Sequence, residues 1–126
     1  MRDPVLASRV FGVYLGMSGL GFFGAPGMVV PMLGLPAPSE FWVRIVGLLT
    51  VILSMYFLYC ARPGERRFFQ ATVIARCMFF TGVTALVLAG VAPKLLVLFG
   101  LVDLAGAAWT QLALRATLAN AARAVE

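Results

Sequence analysis

Two ionisable side chains stand inside otherwise apolar stretches of the chain, Arg76 and Asp103. Arg76 lies nine residues past Arg67, and Asp103 lies nine residues past Lys94. At about 1.5 Å per helical residue, each sits ~13 Å in from its own end of the stretch. An unpaired charge at such a depth in hydrocarbon costs about 2.5–3.5 kcal/mol, and pairing is the cheapest remedy. The spacing therefore predicts an Arg76–Asp103 ion pair. Such a pair serves either as a structural tie or as the polar centre of a site for a head group, a quinone, an ion or a proton. Arg44, just inside another apolar stretch, can reach toward Asp103 or turn back toward Glu40, and Gln111 lies beside the Asp103 face. No nucleophile with an adjacent base is visible, so no catalytic residue is assigned.

The residue types that are missing narrow the chemistry further. With no histidine, the chain lacks the commonest ligand of haem, copper and catalytic zinc, and the commonest general base. No metal or cofactor is predicted beyond a possible quinone or lipid. The two cysteines, Cys60 and Cys77, form no CxxC pair and lie at different depths, so they are expected to stay unpaired as small apolar fillers.

The elements that must position these residues follow from composition. Of 126 residues 62% are hydrophobic and only 12% charged, with a mean hydropathy of +0.98, which is too apolar to cover a surface in water. Four apolar segments, about 5–24, 41–61, 68–91 and 95–114, each have the length that one helix needs to cross a hydrocarbon core of roughly 30 Å. Glycine and proline punctuate the breaks: Gly24 to Gly27 and Pro31 to Pro38 after the first, Arg62-Pro63-Gly64 after the second, Ala92-Pro93-Lys94 after the third. The broken apolar stretch from Met28 to Leu35 reads as a short interfacial helix or a lid. A signal-peptide reading of the first segment fits less well, because its apolar run is long and no A-x-A site follows. The expectation is one all-α domain over residues 1–126, an integral membrane bundle of four transmembrane helices.

Charge sets the orientation. Arg2, Arg9, Arg62, Arg66, Arg67, Arg115 and Arg123 fall on one side, against Lys94 and Arg44 on the other. The positive-inside rule then places both termini and the middle loop in the cytoplasm, in a bacterial cytoplasmic (inner) membrane. Trp42 and Phe41 are expected at the outer interface, with Tyr59, Phe68 and Phe69 at the inner one. The net charge of +5 comes from these segment ends and forms no stripe that could follow phosphates, so nucleic acid is not an expected partner.

Helical spacing also marks interior faces. Gly100, Asp103, Ala107 and Thr110 share one face of the fourth segment, Arg44, Gly47, Thr50 and Ser54 one face of the second, and Thr72, Arg76 and Thr84 one face of the third. Gly12, Gly16 and Gly19 form a small-residue pattern on the first that permits close helix approach.

The opening Ser8-Arg9-Val10-Phe11-Gly12, the Arg44-Ile45-Val46-Gly47 stretch and the run from Phe99 through Asp103 and Gly106 to Trp109 carry a resemblance. In these motifs, and over most of its length, the chain resembles the small four-helix membrane proteins grouped as DoxX-like. Some of that group resemble partners of quinone-linked sulfur oxidation, but no catalytic position can be matched, so the activity is not carried over. Small multidrug transporters also have four short helices. Their embedded acid is a glutamate of the first helix, and here no acid occurs between Asp3 and Glu40.

Three functions are therefore carried forward. The first is a non-enzymatic accessory or assembly subunit that meets lipid and other membrane chains, or further copies of itself, through its helix sides. The second is a transporter or binder of a small lipophilic or ionic ligand, centred on Arg76 and Asp103. The third is a quinone- or lipid-linked enzyme subunit. The orientation is directly testable: a phosphatase fused after Glu126 is expected to be inactive, and a cysteine placed at Ser39 to be labelled only from outside the cell.

Overall fold

Local chemistry starts and stops each helix where the punctuation falls. In the computed structural model, which describes residues 3–34 and 40–125, Asp3 caps the first helix: its side chain accepts from the Val5 amide at 2.9 Å, and Pro4 supplies the preset first turn. That helix, α1, runs Pro4–Gly24. Pro26 opens a short second helix, α2, over Pro26–Met32. The Met28-to-Leu35 stretch is thus helical through Met32, and Leu35 lies outside the described residues. The long helices α3 (Glu40–Cys60), α4 (Arg66–Leu88) and α5 (Leu96–Arg123) follow. Arg2, Ser39 and Glu126 also lie outside the described residues.

All described secondary structure is helical, and α1, α3, α4 and α5 are long and apolar enough to cross a membrane by length and composition. Two boundaries differ from the sequence reading. Helix α4 stops at Leu88 because Gly90 takes a positive φ of 74°, and the Val91 and Ala92 amides fold back onto the Leu86 carbonyl. The connection to α5 therefore spans residues 89–95 rather than 92–94. Helix α5 runs nine residues past Leu114, because alanine, leucine and arginine continue it to Arg123 with no breaker.

Packing pairs α1 with α3 and α4 with α5, and the two pairs meet along α1 and α5. The α1–α3 crossing uses the glycine pattern directly. A Cβ on Gly19 would stand 2.8 Å from the Gly47 carbonyl oxygen, and one on Gly47 would stand 2.7 Å from the Gly19 carbonyl oxygen, so the backbones touch there and only glycine fits. One end of the crossing is fastened by Ser54, whose Oγ donates to the Gly12 carbonyl at 2.7 Å.

The side-chain core gathers at one end of the bundle. Ala7, Ser8 and Phe11 of α1, Ser54 and Phe57 of α3, Phe69 and Thr72 of α4, and Ala107, Thr110, Ala113 and Leu114 of α5 are all buried there, with Ala61. The rings of Phe11, Phe57, Phe68 and Phe69 run in edge-on contacts of 5.1, 5.9 and 5.6 Å from α1 across α3 to α4. Phe69, expected at an interface, is therefore a core residue packed on Ala61 and Leu114. Tyr59, Phe41 and Trp42 are exposed. The cysteines are free, Cys60 half-buried at the end of α3 and Cys77 exposed on α4.

Because the α1–α3 contact is backbone to backbone, side-chain repacking cannot absorb added bulk. Gly47→Leu is expected to lower stability by about 1–3 kcal/mol or more, and Gly82→Leu, where a Cβ meets open space, to change it little. Unfolding in mixed micelles measures both.

Candidate functional site

Arg76 lies midway along α4 and is only 2% exposed. Its guanidinium lies under the ring of Phe11, 3.6 Å from the centroid, and 5.0 Å from that of Phe57. From below, its Nη1 donates to Thr110 Oγ1 at 3.4 Å, a long bond, while Thr110 itself donates to the Gly106 carbonyl at 2.9 Å. The seat exists because Gly106 has no side chain: a Cβ there would come within 2.8 Å of Nη1. Arg76 Nε and Nη2, which form the other edge of the guanidinium, are buried without a hydrogen-bond partner among the described residues. A desolvated cation over an aromatic face gains about 2 kcal/mol or more, which offsets part of the penalty of those unpaired donors.

The structure brings Arg76 and Asp103 into electrostatic reach of each other, but among the described residues they form no contact ion pair. Side-chain direction explains why equal depth does not give contact. Every Cα–Cβ bond leans toward its own helix N-terminus, and α4 and α5 run antiparallel, so the two side chains lean apart. Arg76 meets α5 at Gly106 and Thr110, one and two turns on the C-terminal side of Asp103, as this geometry requires. Asp103 remains half-buried, and its charge also reaches Tyr14 of α1.

Arg44 does not turn toward Asp103, and the alternative toward Glu40 falls on a side chain outside the described residues. Arg44 Nη1 donates to the Phe23 carbonyl at 2.6 Å, which caps the last turn of α1. Phe23 is twelve residues, or ~18 Å, along α1 from the Phe11 that covers Arg76, so Arg44 is held at the far end of the bundle. Gln111 is half-buried beside Thr110 and takes no part in the hydrogen bonds of Arg76. Phe11, Phe57 and Gly106 are the members of the cluster that the sequence reading did not single out. Their signals were spacing: Gly106 lies one turn before Thr110 on the same face, and Phe11 one turn from the buried Ala7.

The arrangement can hold helices in register and can offer two N–H donors side by side. Among the described residues, no group of three or more histidines, cysteines or acids stands ready to hold a metal. Comparison with family models, with curated proteins and with solved structures gave no match.

Arg76→Ala removes the guanidinium beneath Phe11 and leaves a cavity, with an expected loss of about 2–5 kcal/mol. Asp103→Asn, at a half-buried group without a contact partner, is expected to cost clearly less. Equal losses, together with a double mutant that recovers stability, would restore the contact ion pair in place of this geometry.

Proposed function

We propose that the chain is a polytopic protein of a bacterial inner membrane, crossing it four times with both termini in the cytoplasm. Within that membrane it works as a non-enzymatic accessory or assembly subunit of a larger complex. The observation that carries this reading is exposure. The most apolar stretches of α1, α3, α4 and α5 are only 28%, 22%, 11% and 22% buried. A row of helices this open to its surroundings is suited to meeting lipid and other helices. Short connections leave little else for a partner to grip, so contact falls to helix sides such as the Leu49, Ile52, Tyr56 and Tyr59 stripe of α3, all exposed.

Kinship with the DoxX-like four-helix proteins belongs to the same proposal, supported by the motifs around Ser8, Arg44 and Asp103. A second reading, a binder of a small lipophilic molecule such as a quinone or a lipid, is favoured by one observation: the unpartnered Nε and Nη2 of Arg76. That edge suits two oxygen acceptors. A quinone- or lipid-linked enzyme has less behind it, because no reacting pair of side chains accompanies the arginine.

Extraction in a mild detergent separates the readings. A tagged chain produced at its native level is expected to purify in constant ratio with other integral membrane chains. Recovery as a lone small homo-oligomer would sink the subunit reading. Arg76→Met that keeps the complex intact would then assign the arginine to structure, whereas loss of an extractable lipophile would assign it to binding.

A further inference from the structure

One face of α4 is covered by nothing among the described residues, and its two ends differ in chemistry. Arg67, Gln70, Ile74, Cys77 and Thr81 follow one another in steps of three, four, three and four, so they stand in line along that face. The middle and far part is a shallow apolar groove of about 530 Å³, lined by Val73, Ile74, Cys77, Met78, Thr81 and Gly82. Gly82 deepens it, since a Cβ there would meet nothing within 4 Å. Ile74 and Met78 are 61% and 69% exposed. At the near end stand Arg66, Arg67 and Gln70, all exposed, and Glu65 directly precedes them in the chain.

We infer that this face binds one phospholipid with an anionic head group. Its phosphate lies against Arg66 and Arg67, Gln70 donates to its oxygens, and one acyl chain lies in the Val73–Gly82 groove. The dimensions agree. One leaflet's share of the hydrocarbon core is about 15 Å. From Phe68, where the apolar surface begins, that length along the helix reaches Met78, in the middle of the groove. A zwitterionic lipid fills the groove equally well, but its cationic head-group nitrogen offsets its phosphate, so beside Glu65 it brings the two arginines no net counter-charge. The arginine pair therefore selects the head group, while the groove only accepts the chain. A second copy of this protein fits less well, because a parallel neighbour brings Arg66 and Arg67 against their own copies, like charge against like.

The inference rests on the membrane reading above but not on its orientation, and a symmetric lipid environment keeps the two apart. Cys77 lies in the groove and serves as the reporter. Full-length Cys60→Ser protein, labelled at Cys77 with a small fluorophore, is titrated in mixed micelles with phosphatidylglycerol or phosphatidylcholine brominated on the acyl chain. Phosphatidylglycerol is expected to reach half-maximal quenching at a mole fraction about fivefold or more below that of phosphatidylcholine. The Arg66→Gln, Arg67→Gln double variant, changed only at exposed positions, is expected to raise the phosphatidylglycerol midpoint to that of phosphatidylcholine and leave the latter unmoved. Native mass spectrometry of the unlabelled protein, extracted from an equal mixture of the two lipids, gives an independent readout. One retained phosphatidylglycerol is expected, and it is lost in the variant. Equal midpoints in the unaltered sequence mean an ordinary lipid annulus and overturn the proposal. So does selectivity that survives in the variant, and so does failure of either lipid to quench while labelled chains quench one another with rising protein concentration, which would put a second copy on the face.

Discussion

The guanidinium of Arg76 is where all four long helices meet: it belongs to α4, lies beneath Phe11 of α1, stands near Phe57 of α3, and rests on Gly106 and Thr110 of α5. A buried cation tolerates little variation in its surroundings. A one-residue slip of α5 turns the bare Gly106 away and brings a Cβ toward Nη1. A one-turn slip of α1 takes the ring off the cation and leaves a charge in apolar surroundings, at a cost of several kcal/mol. The positions of α1 and α5 along α4 are thus tied to one side chain, whose hydrogen bonding is itself incomplete.

That constraint matters more in the proposed setting than it would in water. Lipid tails are as apolar as leucine, so burying apolar side chains contributes little to holding helices together in a bilayer. What remains is close packing, polar contacts between helices and electrostatics, and this chain uses each of them at a different place. Backbone meets backbone at Gly19 and Gly47, Ser54 bonds the Gly12 carbonyl, Arg44 bonds the Phe23 carbonyl, and Arg76 lies against Phe11. The aromatic run from Phe11 to Phe69 closes only one end of the bundle, and the large apolar residues elsewhere are left facing outward.

Hydropathy and punctuation made the four long helices legible, since length, apolarity and glycine-proline breaks act locally. The interior faces were legible too: Gly47, Ser54, Thr72, Arg76, Gly100, Ala107 and Thr110 are buried where helical spacing placed them. The partner of Arg76 was not. Depth along a helix can be counted from sequence, but the lean of a side chain depends on the direction of both helices, and in an antiparallel pair it carries equal depths apart. Aromatic partners are harder still to read, because nothing in a run of phenylalanines says which one turns inward. Phe11 and Phe69 are buried while Phe23 and Phe41 are exposed, and only the packed structure separates them. The Arg44 contact was missed because its acceptor is a main-chain carbonyl, which every residue carries.

Nine of the ten basic residues are arginine, and the structure shows what lysine would lose at particular sites. Beneath Phe11 a weakly hydrated guanidinium approaches the ring to 3.6 Å from its centroid and still directs one N–H to Thr110, whereas an ammonium is a compact, strongly hydrated point charge. Over Tyr59, at 4.7 Å from the ring centroid, Arg62 repeats the cation–ring contact at the surface. At the end of α1, Arg44 reaches a carbonyl across a helix pair with its head group while its own helix continues undisturbed. The planarity of the guanidinium leaves the Nε–Nη2 edge of Arg76 pointing where no described residue offers an acceptor, so the feature that fixes the helices also leaves two donors unused. A lysine in its place would leave no such edge, and the second reading of the function would have no residue to rest on.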